Sequence, residues 1–179
     1  SIINGMQFRL DSIFNSSPAS TVTNFDVALG PSNFAPGSLS NNVASNQGAG
    51  TVQVRTGSLS FAENSFPSGG SPNGWGPVIP FSASYTYMGG ELLLTVSHTA
   101  PTSELDFDVG SSISGVQIYQ AQVYNATTLT DSSLDTAIPV QFSFVAVPEP
   151  AFWYACTIVV MASSLFLYRR YQQRQLCEA

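Results

Sequence analysis

Apolar and polar positions alternate with a period of two in short segments spread over residues 1–146, a pattern typical of strands with one solvated face. Turn-rich stretches such as residues 30–50 and 67–77 separate these segments. A helical pattern is absent from this part of the chain, apart from a short turn predicted around residues 40–44. The alternation predicts an all-β fold of about seven to nine strands, an antiparallel β-sandwich with a jelly-roll-like arrangement. The apolar members of these segments are Met6, Phe8, Leu10, Phe25, Val27, Leu29, Val52, Val54, Leu59, Phe61, Leu92, Leu94, Val96, Leu105, Phe107, Val109, Val116, Ile118, Val140, Phe142 and Phe144.

Residues 151–168 break this pattern, because these 18 residues include no Asp, Glu, Lys, Arg, Pro or Gly. A helix of that length is about 27 Å long at ~1.5 Å per residue, close to the ~30 Å hydrocarbon core of a bilayer. Aromatic residues at both ends of the segment suit the level of the lipid headgroups. The segment therefore predicts one transmembrane helix, with a helix buried in a protein core as the alternative.

The distribution of charge predicts how this helix is oriented. Residues 1–150 carry ten acidic residues against two arginines, a formal charge of −8. Residues 151–179 carry three arginines against one glutamate, a formal charge of +2. Because positive charge beside a span favours the cytoplasmic side, residues 1–146 should form an extracytoplasmic domain and residues 169–179 a basic cytoplasmic tail.

Composition narrows the possible functions. All five basic residues are arginines, so the chain lacks the lysine of a phosphate-binding loop or a Schiff base, and it lacks the basic surface that binds nucleic acid. The two cysteines, Cys156 and Cys177, fall in the predicted span and tail, so a disulfide cannot support the outer domain. The first residues show no export signal, and we expect the chain to begin after processing or to lack an N-terminal part.

A short motif precedes the predicted span and an arginine pair follows it: Val147-Pro148-Glu149-Pro150 and Arg169-Arg170. Together the three parts resemble the PEP-CTERM sorting signal of exopolysaccharide-producing, mostly Gram-negative bacteria. The resemblance implies recognition by an exosortase, a membrane enzyme with a cysteine nucleophile, and cleavage near the Pro-Glu-Pro. Nine residues follow Arg170, a longer ending than is usual in that family. A stiff spacer between domain and membrane is the alternative interpretation of residues 147–150, since X-Pro steps favour an extended chain.

Further segments resemble a recurring outer domain of the same family. They are Asn-Gly-Met-Gln-Phe-Arg at residues 4–9, Pro-Phe at residues 80–81, and Tyr-Met-Gly-Gly-Glu-Leu-Leu-Leu-Thr-Val at residues 87–96. The resemblance would cover nearly the whole outer domain. It implies a fold and a location only, because that family has no established activity.

Three acidic residues form a candidate metal site. Glu104, Asp106 and Asp108 alternate with apolar residues, so they should project from one strand face at intervals of about 7 Å. Calcium would relieve their repulsion, but it takes about six to eight oxygen ligands and would need loop carbonyls or other acids such as Asp131 or Asp135. A solvated polar face explains the same pattern. The residues suit a glycosidase poorly, because its two carboxyl groups must face each other across a cleft.

Two other side chains are candidates for function. His98 is the only histidine, and a catalytic role would require a serine and a carboxylate on either side of its ring. Because no Gly-x-Ser-x-Gly motif occurs, we expect a structural or solvated histidine. Trp75 lies in the turn-rich stretch 67–77, where its ring is placed either to stack on a sugar as part of a ligand site or to close one end of the core.

The sequence thus predicts a non-enzymatic protein that is exported, anchored at its C-terminus and sorted to the cell surface or extracellular matrix. Its expected role is structural or adhesive, in contact with exopolysaccharide or matrix proteins, without a cofactor unless calcium binds. The alternatives are a calcium-dependent glycan-binding module, an enzyme acting on extracellular glycan, and a permanent single-span subunit of a membrane assembly.

Overall fold

The computed structural model of the chain describes residues 1–108, 110–111, 117–120, 126–129, 131–134 and 136–145. These residues are mostly strand, which confirms the all-β prediction. One short helix is present among them, α1 (Val43–Asn46), and it lies at the turn predicted around residues 40–44. The strands are β1 (Ile2–Gln7), β2 (Ser20–Val22), β3 (Phe25–Pro31), β4 (Val52–Arg55), β5 (Leu59–Phe61), β6 (Ile79–Thr86), β7 (Leu92–His98), β8 (Gly110–Ser111), β9 (Gln117–Gln120), β10 (Asp131–Leu134), β11 (Thr136–Ala137) and β12 (Gln141–Val145).

Two three-stranded antiparallel sheets form the centre of the described structure. In the first, β1 lies between β12 and β6, and in the second, β3 lies between β4 and β7. Three two-stranded sheets pair β2 with β5, β9 with β10, and β8 with β11. Every strand pair among the described residues is antiparallel.

The second sheet continues beyond the start of β3 into the β2–β5 pair. The Phe25 amide donates to the Gly57 carbonyl, and the Thr102 amide donates to the Thr21 carbonyl. An isolated bridge joins Val22 to Pro101 on the same side. The chain after β7 is thereby held beside β2, and it then reaches residues 9–11, where Leu10 forms a bridge with Phe107.

The sheets have two ends, which we name after the side chains found there. At the Met88 end, residues 87–91 join β6 to β7, residues 32–51 join β3 to β4, and β12 finishes at Val145. At the Trp75 end lie residues 8–14, residues 67–77 before β6, and residues 99–108 after β7.

The hydrophobic core is shared by strands of both three-stranded sheets. Met6 on β1 pairs with Ile79 on β6 and with Phe142 on β12, and Met6 and Ile79 are almost completely buried. From the other sheet, Val27 and Leu29 on β3 and Val54 on β4 are fully buried. Where a strand packs one face on this core, its apolar residues recur at every second position. The buried members of the core are Ile3, Met6, Phe8, Leu10, Val22, Phe25, Val27, Leu29, Val54, Leu59, Phe61, Phe66, Ile79 and Tyr85.

The chain divides into two compact units, Ser1–Val145 and Ala146–Ala179. All elements above belong to the first, and the second lies outside the described residues, together with the predicted span at 151–168. Within the described part, no helix is long and apolar enough to cross a membrane. Val109 and Val116, which were predicted to lie on strands, also fall outside the described residues.

Candidate functional site

The loop formed by residues 67–77, which we call the Trp75 loop, is docked onto the chain that follows β1. The Gly76 amide donates to the Phe8 carbonyl at 2.8 Å, and the Gln7 side-chain amide donates to the Gly76 carbonyl at 2.6 Å. Gly76 has no room for a side chain, because a Cβ there would lie 2.2 Å from the ring of buried Phe66. Glycine is therefore needed for the close approach of the loop to the Phe66 ring.

A buried asparagine holds the other half of the Trp75 loop. Asn73 is 3% exposed, and its Nδ2 donates to the carbonyl oxygens of Asp11 at 2.9 Å and Phe14 at 3.1 Å. Its Oδ1 accepts a hydrogen bond from the Gly70 amide at 3.3 Å, within the loop. Since a buried amide left without these partners would be costly, Asn73 fixes the position of the loop on residues 11–14.

The half-buried ring of Trp75 covers an ion pair. The guanidinium carbon of Arg9 lies 5.3 Å from the centre of the Trp75 ring, within the range of a cation–π contact. Arg9 Nε lies 2.5 Å from Asp108 Oδ2, and the two side chains are 23% and 20% exposed. Backbone pairing supports the contact, because the Asp108 amide donates to the Arg9 carbonyl at 2.9 Å. Arg9 is thus held between a carboxylate and an aromatic ring.

The three candidate metal ligands do not share one environment. Glu104 and Asp106 are exposed, whereas Asp108 is partly buried beside Arg9. Asp131 lies on β10, and Asp135 falls outside the described residues. In the part of the chain that the structure describes, no three His, Cys, Asp or Glu side chains are placed to hold a metal ion. The calcium site stays a prediction, and any such site must compete with Arg9 for Asp108.

A shallow groove of about 90 Å³ lies beside these acids. Its volume is well below the ~300–1,000 Å³ of typical small-molecule sites, so it fits a side chain rather than a sugar. Glu104 and Asp106 belong to one segment of the wall and do not oppose each other across the groove. The residues that line it are Leu10, Phe14, Ser16, Pro18, Glu104, Leu105 and Asp106.

His98 lies at the end of β7, where its ring is exposed. The ring is stacked on Phe25 with 6.3 Å between centroids, and Nδ1 lies 3.0 Å from the Thr99 carbonyl oxygen. These contacts describe a histidine with an exposed ring packed at a strand end, in agreement with the structural or solvated histidine expected from the sequence.

The remaining candidate residues belong to the tail. Pro148, Glu149, Pro150, Arg169 and Arg170 all lie outside the described residues. Scans of family models, curated proteins and solved structures found no match to this chain. The sorting signal and the outer-domain resemblance therefore stay predictions that depend on the motifs themselves.

Sequence reasoning missed Gln7, Arg9 and Asn73, which build the site around Trp75. One signal was available, because Arg9 is one of only two basic residues among the first 150, which also include ten acids. The sequence does not say which acid, since Asp108 is 99 residues away. The roles of Gln7 and Asn73 left no local signal, because their partners are backbone atoms of distant segments.

Proposed function

We propose that this chain is an exported protein in which a β-sandwich domain is anchored by one C-terminal transmembrane helix and sorted by an exosortase. In this proposal Pro148, Glu149 and Pro150 form the processing site. The helix of residues 151–168 is a temporary anchor, and Arg169 and Arg170 hold its end in the cytoplasm. The mature domain has a structural or adhesive role at the cell surface or in the matrix, in contact with exopolysaccharide.

The observation that carries the proposal is the order of motif, uncharged span and arginine pair within the last 33 residues. The fold is compatible with cleavage at the motif. Strand β12 ends at Val145, and the motif Val147-Pro148-Glu149-Pro150 begins two residues later. A cut near the motif would therefore leave every described strand on the released part, including β12, which completes the sheet around β1.

The Trp75 loop supports an adhesive role for the domain. Tryptophan offers a large apolar ring with a hydrogen-bonding edge, and rings of this kind suit the faces of sugars. The loop is fixed by Gly76 and Asn73 before any ligand arrives, so little ordering would oppose binding. Arg9 occupies a position over the ring, which limits a bound sugar to contacts that leave the Arg9–Asp108 pair in place.

Thiol labelling tests the topology. In spheroplasts, a membrane-impermeant maleimide should label a Ser68→Cys variant, because Ser68 is exposed in the Trp75 loop and the loop should face outward. The same reagent should leave Cys177 unlabelled in chains that keep their C-terminus until detergent is added. Labelling of Cys177 without labelling at position 68 would reverse the orientation and contradict the proposal.

Co-sedimentation with exopolysaccharide from the native cells tests the adhesive role. If none of the protein sediments with the exopolysaccharide, the adhesive role is contradicted.

A further inference from the structure

The direction of the strands shows at which end of the domain β12 finishes. β6 and β12 both pair antiparallel with β1, so they run parallel to each other on its two sides. Ile2 pairs with Thr86 on one side and with Val145 on the other. The last residue of β12, Val145, therefore lies at the Met88 end, together with the turn of residues 87–91.

The turn at this end is built to expose one apolar side chain. The Tyr87 amide donates to the Ser1 carbonyl at 2.8 Å, and the Tyr87 hydroxyl donates to the Gly90 carbonyl at 2.5 Å. Gly89 and Gly90 have φ angles of 100° and 86°, which residues with a side chain rarely adopt. At the tip of this braced turn Met88 is 88% exposed. The hydrogen bonds of this turn therefore hold Met88 in an exposed position.

Two more exposed apolar side chains lie at the same end of the domain. Phe144 and Val145, at the end of β12, are 63% and 55% exposed. Phe144 pairs with the buried Ile3 and lies on β12, which is an outer strand of its sheet. Single exposed apolar residues are common, but Met88, Phe144 and Val145 all lie at the end of the domain where β12 finishes.

The described carboxylates are concentrated toward the other end of the domain, the Trp75 end. Of the seven carboxylates whose side chains the structure describes, Glu91 alone lies at the Met88 end. Residues 31–51, which cover β3–β4 at that end, contain no charged residue at all. β6 is eight residues long, or about 25 Å at ~3.3 Å per residue, so the ends are separated by more than two Debye lengths of ~8–10 Å. The six acids toward the Trp75 end are Asp11, Asp26, Glu63, Glu104, Asp106 and Asp108.

We propose that the Met88 end rests on the lipid surface, with Met88 inserted at the boundary of headgroups and acyl chains. This inference rests on the proposed anchoring by residues 151–168. Six peptide units separate Val145 from Ala151, so an extended chain reaches at most about 20 Å between them. Apolar side chains gain from leaving water at the interface, whereas carboxylates are repelled by anionic headgroups. The observed placement of both kinds of residue matches those preferences.

Lipid contact is measured on the full chain reconstituted in phosphatidylethanolamine–phosphatidylglycerol vesicles. Met88→Cys and, as the control, Ser68→Cys are each made with Cys156→Ser and Cys177→Ser and labelled with bimane. A nitroxide on the lipid headgroup should quench the label at position 88 at least about fivefold more than the label at position 68. Equal quenching at the two positions in chains that float with the vesicles overturns this inference alone. Chains that do not float overturn the anchoring as well.

The single acid at the Met88 end provides a second, matched pair of variants. Glu91→Gln removes the only described carboxylate there, and Glu63→Gln makes the same change in an exposed residue at the far end. In anionic vesicles, Glu91→Gln should raise quenching at position 88, because it removes repulsion within a Debye length of the surface. Glu63→Gln should leave quenching unchanged. An equal effect of both variants, or none from Glu91→Gln, contradicts contact with the lipid surface at this end.

Discussion

Replacing Asp108 by asparagine should destabilise the domain, whereas the same replacement of Asp106, two residues earlier, should not. Asp108 accepts from Arg9 Nε at 2.5 Å, and the two side chains are only 20% and 23% exposed. Asp106 is exposed on the same segment. The two variants therefore remove the same charge from the same segment, but only Asp108→Asn breaks an ion pair.

The size of the effect follows from this partly buried geometry. At an effective dielectric constant of about 20, unit charges ~4 Å apart attract by about 4 kcal/mol. Desolvation and the ordering of two side chains cancel much of this attraction. We expect Asp108→Asn to lower the free energy of unfolding by about 1–2 kcal/mol, above the ~0.2–1 kcal/mol of exposed pairs. In a domain of this size that loss lowers Tm by about 3–8 °C. Asp106→Asn should change stability by less than about 0.5 kcal/mol, since it also relieves repulsion among the acids.

Urea unfolding of the full chain in detergent measures both free energies. The chain has two tryptophans, so a Trp153→Phe background makes the fluorescence report on Trp75, whose ring lies over Arg9. Arg9→Met keeps the apolar stem of the side chain and completes a double-mutant cycle with Asp108→Asn. The coupling energy between Arg9 and Asp108 should be about 1 kcal/mol or more.

Equal losses from Asp108→Asn and Asp106→Asn, or a coupling energy near zero, would refute the reasoning about the pair. Repeating the titrations with calcium tests the metal site predicted from the sequence. If Asp106 and Asp108 bind calcium, the ion should stabilise the unmodified domain, and both variants should lose that stabilisation. Without a calcium effect, the ion pair alone explains the role of Asp108.

The remaining predictions use matched pairs in the loop and in the core. Gly76→Ala should cost about 1–3 kcal/mol, because its Cβ would lie 2.2 Å from the Phe66 ring, whereas Gly74→Ala meets only proline side-chain atoms at 3.1–3.4 Å and should cost less than about 1 kcal/mol. Urea unfolding compares them, and equal losses would show that the loop does not pack closely on Phe66. Met6→Ala should cost about 2–5 kcal/mol, because Met6 is 0% exposed, and Met88→Ala less than about 0.5 kcal/mol, because Met88 is 88% exposed. Thermal unfolding by circular dichroism distinguishes them, and a large loss for Met88→Ala would contradict its exposure.

The strands with one buried face could be predicted from the sequence. The alternation at Phe25, Val27 and Leu29 falls on β3, and all three are buried. The pattern at Val52 and Val54 falls on β4, where Val54 is buried and Val52 is partly buried. Period-two patterns identify a strand and its inner face because the side chains of a strand alternate between the two faces of its sheet.

Pairing could not be predicted from the same pattern. Residues 104–107 alternate in burial as expected and Asp108 does not, and among the described residues this segment forms one bridge, Leu10 with Phe107, rather than a full strand. β2 (Ser20–Val22) was missed, because Val22 is its only apolar residue and a single apolar residue shows no period. The exposure of Phe144 was also missed, since alternation indicates a face but not whether another element covers it.

The composition of the site was only partly predictable. The aromatic ring in a turn-rich loop predicts Trp75 as a candidate ligand-binding residue, and hydrogen bonds hold that loop on the chain after β1. Its contact with Arg9 joins residues 66 positions apart, and the contact of Arg9 with Asp108 joins residues 99 positions apart. Such contacts depend on how the segments after β1 and β7 meet, which no local pattern of residues records.

The intact mass of the mature protein from its native cells, beside that of a Glu149→Ala variant, tests the central claim most directly. The account predicts that the native protein ends near Pro148–Pro150 and that the variant retains the helix of residues 151–168 and the arginines after it. If both proteins retain every residue through Ala179, no sorting cleavage occurs. The helix would then be a permanent anchor, and the claim that an exosortase sorts this protein would be contradicted.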